Sequence, residues 1–166
     1  DQWEATKKLT VTAGLRFDHL SDLGSNLSPR LSLSGRLCEG FAYKVLYARA
    51  FRAPSFRELG FDLASGTSNP DLGLVKADEL ALAFTWQRNR LRLEAHPFLN
   101  LVEDTVALPG LPAPGHPLTF ANAEGVRALG IELVASRGFG LANSWFANLT
   151  LQDPQDRATE ERMPGL

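Results

Sequence analysis

A single cysteine, Cys38, occurs in the 166 residues, which excludes a disulfide framework within the chain. Charge of one sign is also lacking: 17 basic residues face 19 acidic ones, and no basic excess argues for a nucleic-acid partner. Long apolar runs are missing. The longest stretch free of Asp, Glu, Lys and Arg, from Thr105 to Ala123, carries Pro109, Pro112, Pro114 and Pro117. Proline has no N–H to donate and clashes with the preceding helical turn, so this stretch is not a transmembrane helix. Asp1–Lys8 has no apolar core behind a basic region, so no secretory leader is expected there, and the start is expected to lie inside a longer protein.

Signatures of catalysis are equally scarce. There is no Gly-x-Ser-x-Gly elbow and no glycine-rich phosphate loop. His19, His96 and His116 are scattered without metal-ligand spacing, and His19 near Asp22 reads as a loop histidine. The residues suggest no enzyme, no cofactor and no metal centre.

What is present is alternation. Hydrophobic residues make up 44% and charged residues 22%, a composition that folds. Leu9, Val11, Ala13, Leu15 and Phe17 alternate with Thr10, Thr12, Gly14, Arg16 and Asp18. Strand side chains point to opposite faces in turn, so this is a strand with one dry and one wet side. The pattern recurs with Leu31, Leu33 and Leu37; with Phe41, Tyr43, Val45 and Tyr47; and with Leu80, Leu82, Phe84 and Trp86. It continues with Leu91, Leu93, Leu99 and Leu101, where Pro97 marks a bulge or an edge, then Ile131, Leu133 and Ala135, and finally Trp145, Ala147, Leu149 and Leu151. Leu46 falls on the wet side of its strand. About seven strands of roughly ten residues result, the length that crosses a bilayer when tilted.

Connections alternate as well. Cys38–Gly40, Asn89–Arg90 and Gly138–Gly140 are short, whereas Asp18–Ser28, Arg52–Asp78, Asp104–Leu118 and the tail after Asp153 are expected to be long. Short turns on one side and long loops on the other are the habit of outer-membrane barrels. Phe41, Tyr43, Trp86 and Trp145 all fall near the short-turn rim, where aromatic rings favour the membrane–water interface. The expected fold is all-β: an antiparallel transmembrane β-barrel segment over residues 1–166.

Three motifs carry a family resemblance. Tyr47-Ala48-Arg49-Ala50-Phe51-Arg52-Ala53-Pro54-Ser55-Phe56-Arg57-Glu58-Leu59 leaves a strand for a loop, and Asn69-Pro70-Asp71-Leu72 follows. Then comes Phe120-Ala121-Asn122, leading to Gly130-Ile131-Glu132-Leu133. In this order and strand context they resemble the barrel of TonB-dependent receptors, with one departure at Gly73–Glu79, where the family usually has Lys-Pro-Glu.

The resemblance implies an outer-membrane receptor of a Gram-negative bacterium that imports a scarce small-molecule ligand, such as a siderophore–iron complex or cobalamin, with energy delivered through TonB. It implies partners in the lipid bilayer, the receptor's own plug domain and the TonB complex, with the plug and the remaining strands outside this chain. Arg52 and Arg57, on an outer loop, are the candidates for touching ligand or plug. Arg16, Arg30, Arg36, Lys44, Glu94 and Glu132 are expected to face the lumen. Two other readings stand beside this one: a small eight-stranded structural or adhesive membrane barrel, for which a further strand near Trp3–Lys8 or Leu108–Phe120 would count, and a soluble β-sandwich binding module.

Overall fold

A computed structural model describes residues 1–6, 8–61, 68–108, 119–139 and 143–163. Among these residues ten strands form: β1 (Gln2–Thr6), β2 (Leu9–Leu20), β3 (Gly24–Cys38), β4 (Phe41–Arg52), β5 (Val75–Arg88), β6 (Leu91–Glu103), β7 (Thr105–Ala107), β8 (Ala121–Ala123), β9 (Val126–Phe139) and β10 (Asn143–Asp156). Eight of them make one antiparallel sheet in the order β1-β2-β3-β4-β5-β6-β9-β10, and β7 and β8 pair separately. Parts of the expected connections Arg52–Asp78 (62–67), Asp104–Leu118 (109–118) and Gly138–Gly140 (140), most of the expected alternative strand at Leu108–Phe120, and the chain end at 164–166 lie outside the described residues.

Register converts the alternation of single strands into two continuous faces. Directly paired residues share a face. Val11 pairs with Leu33, Leu33 with Val45, and Val45 with Leu82. Further across, Ala95 pairs with Leu133 and Leu133 with Leu149. The opposite face carries Thr10, Ser34 and Lys44 in one row and His96, Glu132 and Thr150 in its continuation. All six polar residues expected in the lumen fall on this second face.

Among the described residues no element covers the apolar face. Leu31, Leu80, Leu93, Leu129, Leu149 and Leu151 are exposed, and the buried hydrophobic residues are Leu72, Leu74 and Val75, all at the loop rim. A soluble sandwich closes a second sheet over such a face; among the described residues this chain has one large layer. Eight strands are present, yet β1 and β10 do not pair, so the sheet is open and does not form an eight-stranded barrel.

The apolar band drifts relative to the hydrogen-bond rows. On β2 it runs from Leu9 to Phe17; on β10, where Leu149 occupies the row of Leu9, it runs from Trp145 to Leu151. It therefore slips toward the short turns as the sheet is crossed. Strands perpendicular to the band would show no slip, so the drift is the signature of tilted strands, as barrel closure requires. Along β9 the apolar residues end at Arg127 and Arg137. Ten residues at ~3.4 Å each, tilted by ~40°, project to roughly 25 Å, the height of a barrel's lipid band.

Four expectations are corrected. Asp18–Ser28 is not a long loop: β2 and β3 stay paired to Leu20↔Gly24, leaving three residues as the turn. Gly24 at φ 83° makes that turn, and His19 Nδ1 lies 2.9 Å from Ser25 Oγ across it. The alternation is therefore one of sides, since this three-residue connection is nearly as short as the two-residue turns at the opposite rim. β1 is an additional strand of five residues, with Trp3 on the apolar face and Gln2 and Glu4 on the polar one, too short for its alternation to stand out in a period-two search. Asp153 does not begin the tail, because β10 continues to Asp156 against Val126. Pro97 marks neither a bulge nor an edge: β6 is interior, and its pairing with β5 lapses only between Ala81↔Phe98 and Phe84↔Ala95 with the register unchanged. Proline has no N–H for that rung, so the ladder skips it.

Candidate functional site

The long connections at the rim opposite the short turns fold against each other. Leaving β4, Arg52 reaches Glu58 with two guanidinium nitrogens, at 3.0 and 3.3 Å. Ser55-Phe56-Arg57-Glu58 forms a capping box: the Ser55 N–H donates to Glu58 Oε2 at 2.5 Å, and the Glu58 N–H donates to Ser55 Oγ at 3.4 Å. This starts a single helical turn at Arg57–Phe61. Pro54, buried, ends the ladder because it cannot donate. Arg52, with help from the Ser55 N–H and hydroxyl, holds the Glu58 carboxyl well below its ordinary value, down to about 2.

The second motif returns the chain. Asn69 N–H donates to the Glu58 carbonyl at 2.8 Å, and its side-chain carbonyl accepts from the Asp71 N–H at 2.9 Å. That local bond is the Asx turn that Asn-Pro-Asp chemistry favours. Leu72 and Leu74 then bury themselves, so the loop has a small apolar core of its own.

The third motif joins the two loops. Asn69 Nδ2 donates to the Phe120 carbonyl at 2.9 Å. Asn122 accepts from the Gly73 N–H and donates to the Asp104 carbonyl, each at 2.8 Å. Two asparagines thereby fasten the β4–β5 loop to the β6–β9 connection. Gly125, at φ 106°, sits under this junction, where a Cβ would lie 2.0 Å from the Val102 carbonyl oxygen. Arg157 then ties the end of β10 to Glu103 at 2.9 Å.

The motif residues thus divide into groups. Arg52, Pro54, Ser55 and Glu58 shape the exit from β4; Asn69, Asp71, Leu72 and Asn122 brace the loops. Phe51 and Ala53 flank the exit, and Leu59 donates its N–H to the Ser55 carbonyl at 3.0 Å. Phe56 is 85% exposed, and Arg57 is exposed without an acidic partner among the described residues. Arg52, in contrast, is committed to Glu58. Gly130 and Glu132 lie in the wall below, on the polar face. The Phe98 ring lies over Gly130, where a Cβ would come 2.3 Å from its edge. The partners Gly73, Asp104 and Phe120 were not legible beforehand because they contribute backbone atoms; Gly125 ahead of a strand was the available signal.

At the loopward border of the apolar face, Asp78 accepts from Tyr47 Oη at 2.6 Å and from Arg49 Nε and a terminal nitrogen, both at 2.9 Å. Here the apolar band gives way to charge.

Comparison with known proteins agrees with this geometry. The model of the TonB dependent receptor-like β-barrel family matches residues 1–166. The chain is similar to the ferrienterobactin receptor of Escherichia coli K12, 35% identical over 54% of the chain, and spans 15% of that receptor's length. Among solved structures, the siderophore receptor PirA from Pseudomonas aeruginosa superposes with a TM-score of 0.76 at 26% identity, over 92% of this chain and 30% of that one. The copper transporter OprC gives a TM-score of 0.76 at 18% identity, over 98% and 29%, a likeness of fold alone. A tilted, one-sided sheet, braced loops at one rim and tight turns at the other, and a family match over its whole length establish that this chain belongs to the β-barrel of the TonB-dependent receptors.

Proposed function

We propose that the chain forms part of the wall of an outer-membrane receptor that takes up an iron–siderophore complex, with energy from TonB. Its apolar face meets lipid, its polar face meets the lumen and a plug domain supplied from outside these residues, and its braced loops stand at the cell surface. The observation that carries this reading is the pair of loops fastened through Asn69 and Asn122, directly above a sheet that is dry on one face and wet on the other. A rigid outer rim presents groups to a ligand without the entropy cost of ordering them on binding. The ferrienterobactin and PirA likenesses support iron–siderophore as the cargo over cobalamin. The reading is one of transport and not of catalysis.

Arg57 is the residue proposed to meet an anionic ligand, since its guanidinium is exposed at this rim without an acidic partner among the described residues. Arg52 acts through its hold on Glu58. The test is uptake of radiolabelled iron–siderophore by iron-starved cells carrying the full-length receptor. Uptake is expected to saturate, to stop when TonB is removed or the proton gradient collapsed, and to fall with Arg57→Ala. Uptake unchanged by loss of TonB would overturn the reading.

A further inference from the structure

The apolar face is not uniform. Near the short-turn rim an open cleft of about 520 Å³ runs across it, within the size range of small-ligand clefts. Its floor is Ala95, Ala135 and Ala147, and Phe41, Trp86 and Leu149 stand along it. Three alanines in neighbouring strands make the depression: Ala135 pairs with both Leu93 and Ala147, so small side chains adjoin across the sheet while bulky ones rise on either side.

One row nearer the turns, about 7 Å along the strands, the chemistry changes. Arg88 pairs with Leu91, Leu91 with Arg137, and Arg137 with Trp145, so two guanidinium groups share this row of the same face. Both are exposed, and among the described residues neither has an acidic partner. Arg137 lies over the Phe139 ring, 5.3 Å from its centre, which holds the cation at the surface. Arg90 lies in the adjoining turn, and a second depression is lined by Arg88, Arg90 and Arg137 together with Trp86 of the first. Glu39 is the acidic residue at the neighbouring turn and lines a different depression.

We infer that this face holds a site for one anionic phospholipid of the periplasmic leaflet, an acyl chain lying in the alanine-floored cleft and the phosphate held by Arg88 and Arg137. This rests on reading the sheet as barrel wall with its tight turns toward the periplasm. Charge complementarity selects the occupant. An apolar cleft alone takes any acyl chain, but Arg88 and Arg137, with no acidic partner among the described residues, favour a headgroup with net negative charge, and their fork matches phosphate oxygens two at a time. Placement at the end of the apolar band, beside Trp86 and Trp145, is where a headgroup sits.

The experiment uses the full-length receptor, reconstituted and then released from detergent into native mass spectrometry. Phosphatidylglycerol and zwitterionic phosphatidylethanolamine are supplied in equal amounts. The wild type is expected to retain one phosphatidylglycerol in preference. The double variant Arg88→Gln/Arg137→Gln is expected to lose that preference about tenfold, Arg88→Lys/Arg137→Lys to keep most of it, and Ala135→Phe, which fills the cleft, to weaken retention of both lipids. Equal retention of the two lipids by a wild type that inserts into vesicles and shows heat-modified migration overturns the lipid site and leaves the barrel reading intact. A receptor that does not insert overturns both.

Discussion

Asn69 and Phe120 stand 51 residues apart in the chain and are joined by one bond, from the asparagine side-chain amide to the phenylalanine carbonyl, 2.9 Å long. It links two loops that leave different strand pairs. With Asn122 it makes the outer rim one body instead of two mobile loops.

Asn122→Ala removes an acceptor from the Gly73 N–H and a donor from the Asp104 carbonyl. The loss is expected to destabilise the loop pair by about 1–3 kcal/mol. Hydrogen exchange of the Gly73 amide in the full-length receptor checks it: exchange should accelerate at the rim while β9 stays protected. Unchanged protection at Gly73 would remove the bracing role.

Acid should loosen the same rim. The folded Glu58 carboxyl titrates near 2, against an ordinary value of 4.5, so its stabilisation is fully present above about 4.5 and is lost as pH falls toward 2. The stabilisation is modest, because Arg52 is half exposed and water screens the pair. Protease cleavage between Pro54 and Leu74 should rise across that window in the wild type and be high throughout in Glu58→Gln.

The two faces should differ in tolerance. Leu82→Arg or Leu149→Arg places a charge in the lipid band and is expected to cost about 2–4 kcal/mol at mid-membrane. Ser32→Arg, opposite Leu46 on the wet face, should cost far less. Reversible unfolding of the full-length barrel from vesicles measures both; equal penalties would refute the lipid-facing assignment.

Gly125→Ala is expected to be more damaging than Gly130→Ala. At Gly125 the added Cβ meets backbone, the Val102 carbonyl oxygen at 2.0 Å, with φ at 106°. At Gly130 the nearest obstacle is the edge of the Phe98 ring, which can swing away, with the Leu151 carbonyl oxygen behind it at 2.9 Å. Melting of the two receptor variants compared side by side should show the larger drop for Gly125→Ala, and the reverse order would be inconsistent with the backbone clash.

Residues 1–166 expressed alone should not give a monodisperse monomer in buffer. Both edges of the sheet expose unpaired N–H and C=O groups, and the leucine-rich face is a large uncovered patch. Sedimentation without detergent should show aggregates; a soluble monomer with one sharp thermal transition would contradict the membrane reading.

Local rules determined much of this protein from sequence alone. Period two placed Leu9–Phe17 and its six counterparts on strands, because a pleated backbone sends successive side chains to opposite faces whatever its neighbours are. Gly40 and Asn89, both at positive φ, made the tight turns legible for an equally local reason. Other features had no local signature. Turn residues at Ser21–Leu23 look like loop over a longer stretch, and only pairing with the opposite strand carries β2 and β3 past Asp18 to Leu20 and Gly24. β1 exists because Gln2, Trp3 and Glu4 find Thr12, Val11 and Thr10 to bond with. The rim brace joins asparagines to backbone groups of distant residues, and backbone groups are the same at every position. The alanine-floored cleft and its arginine row were equally hidden, since which side chains adjoin across a sheet is set by register, a property of strand pairs that no single strand contains.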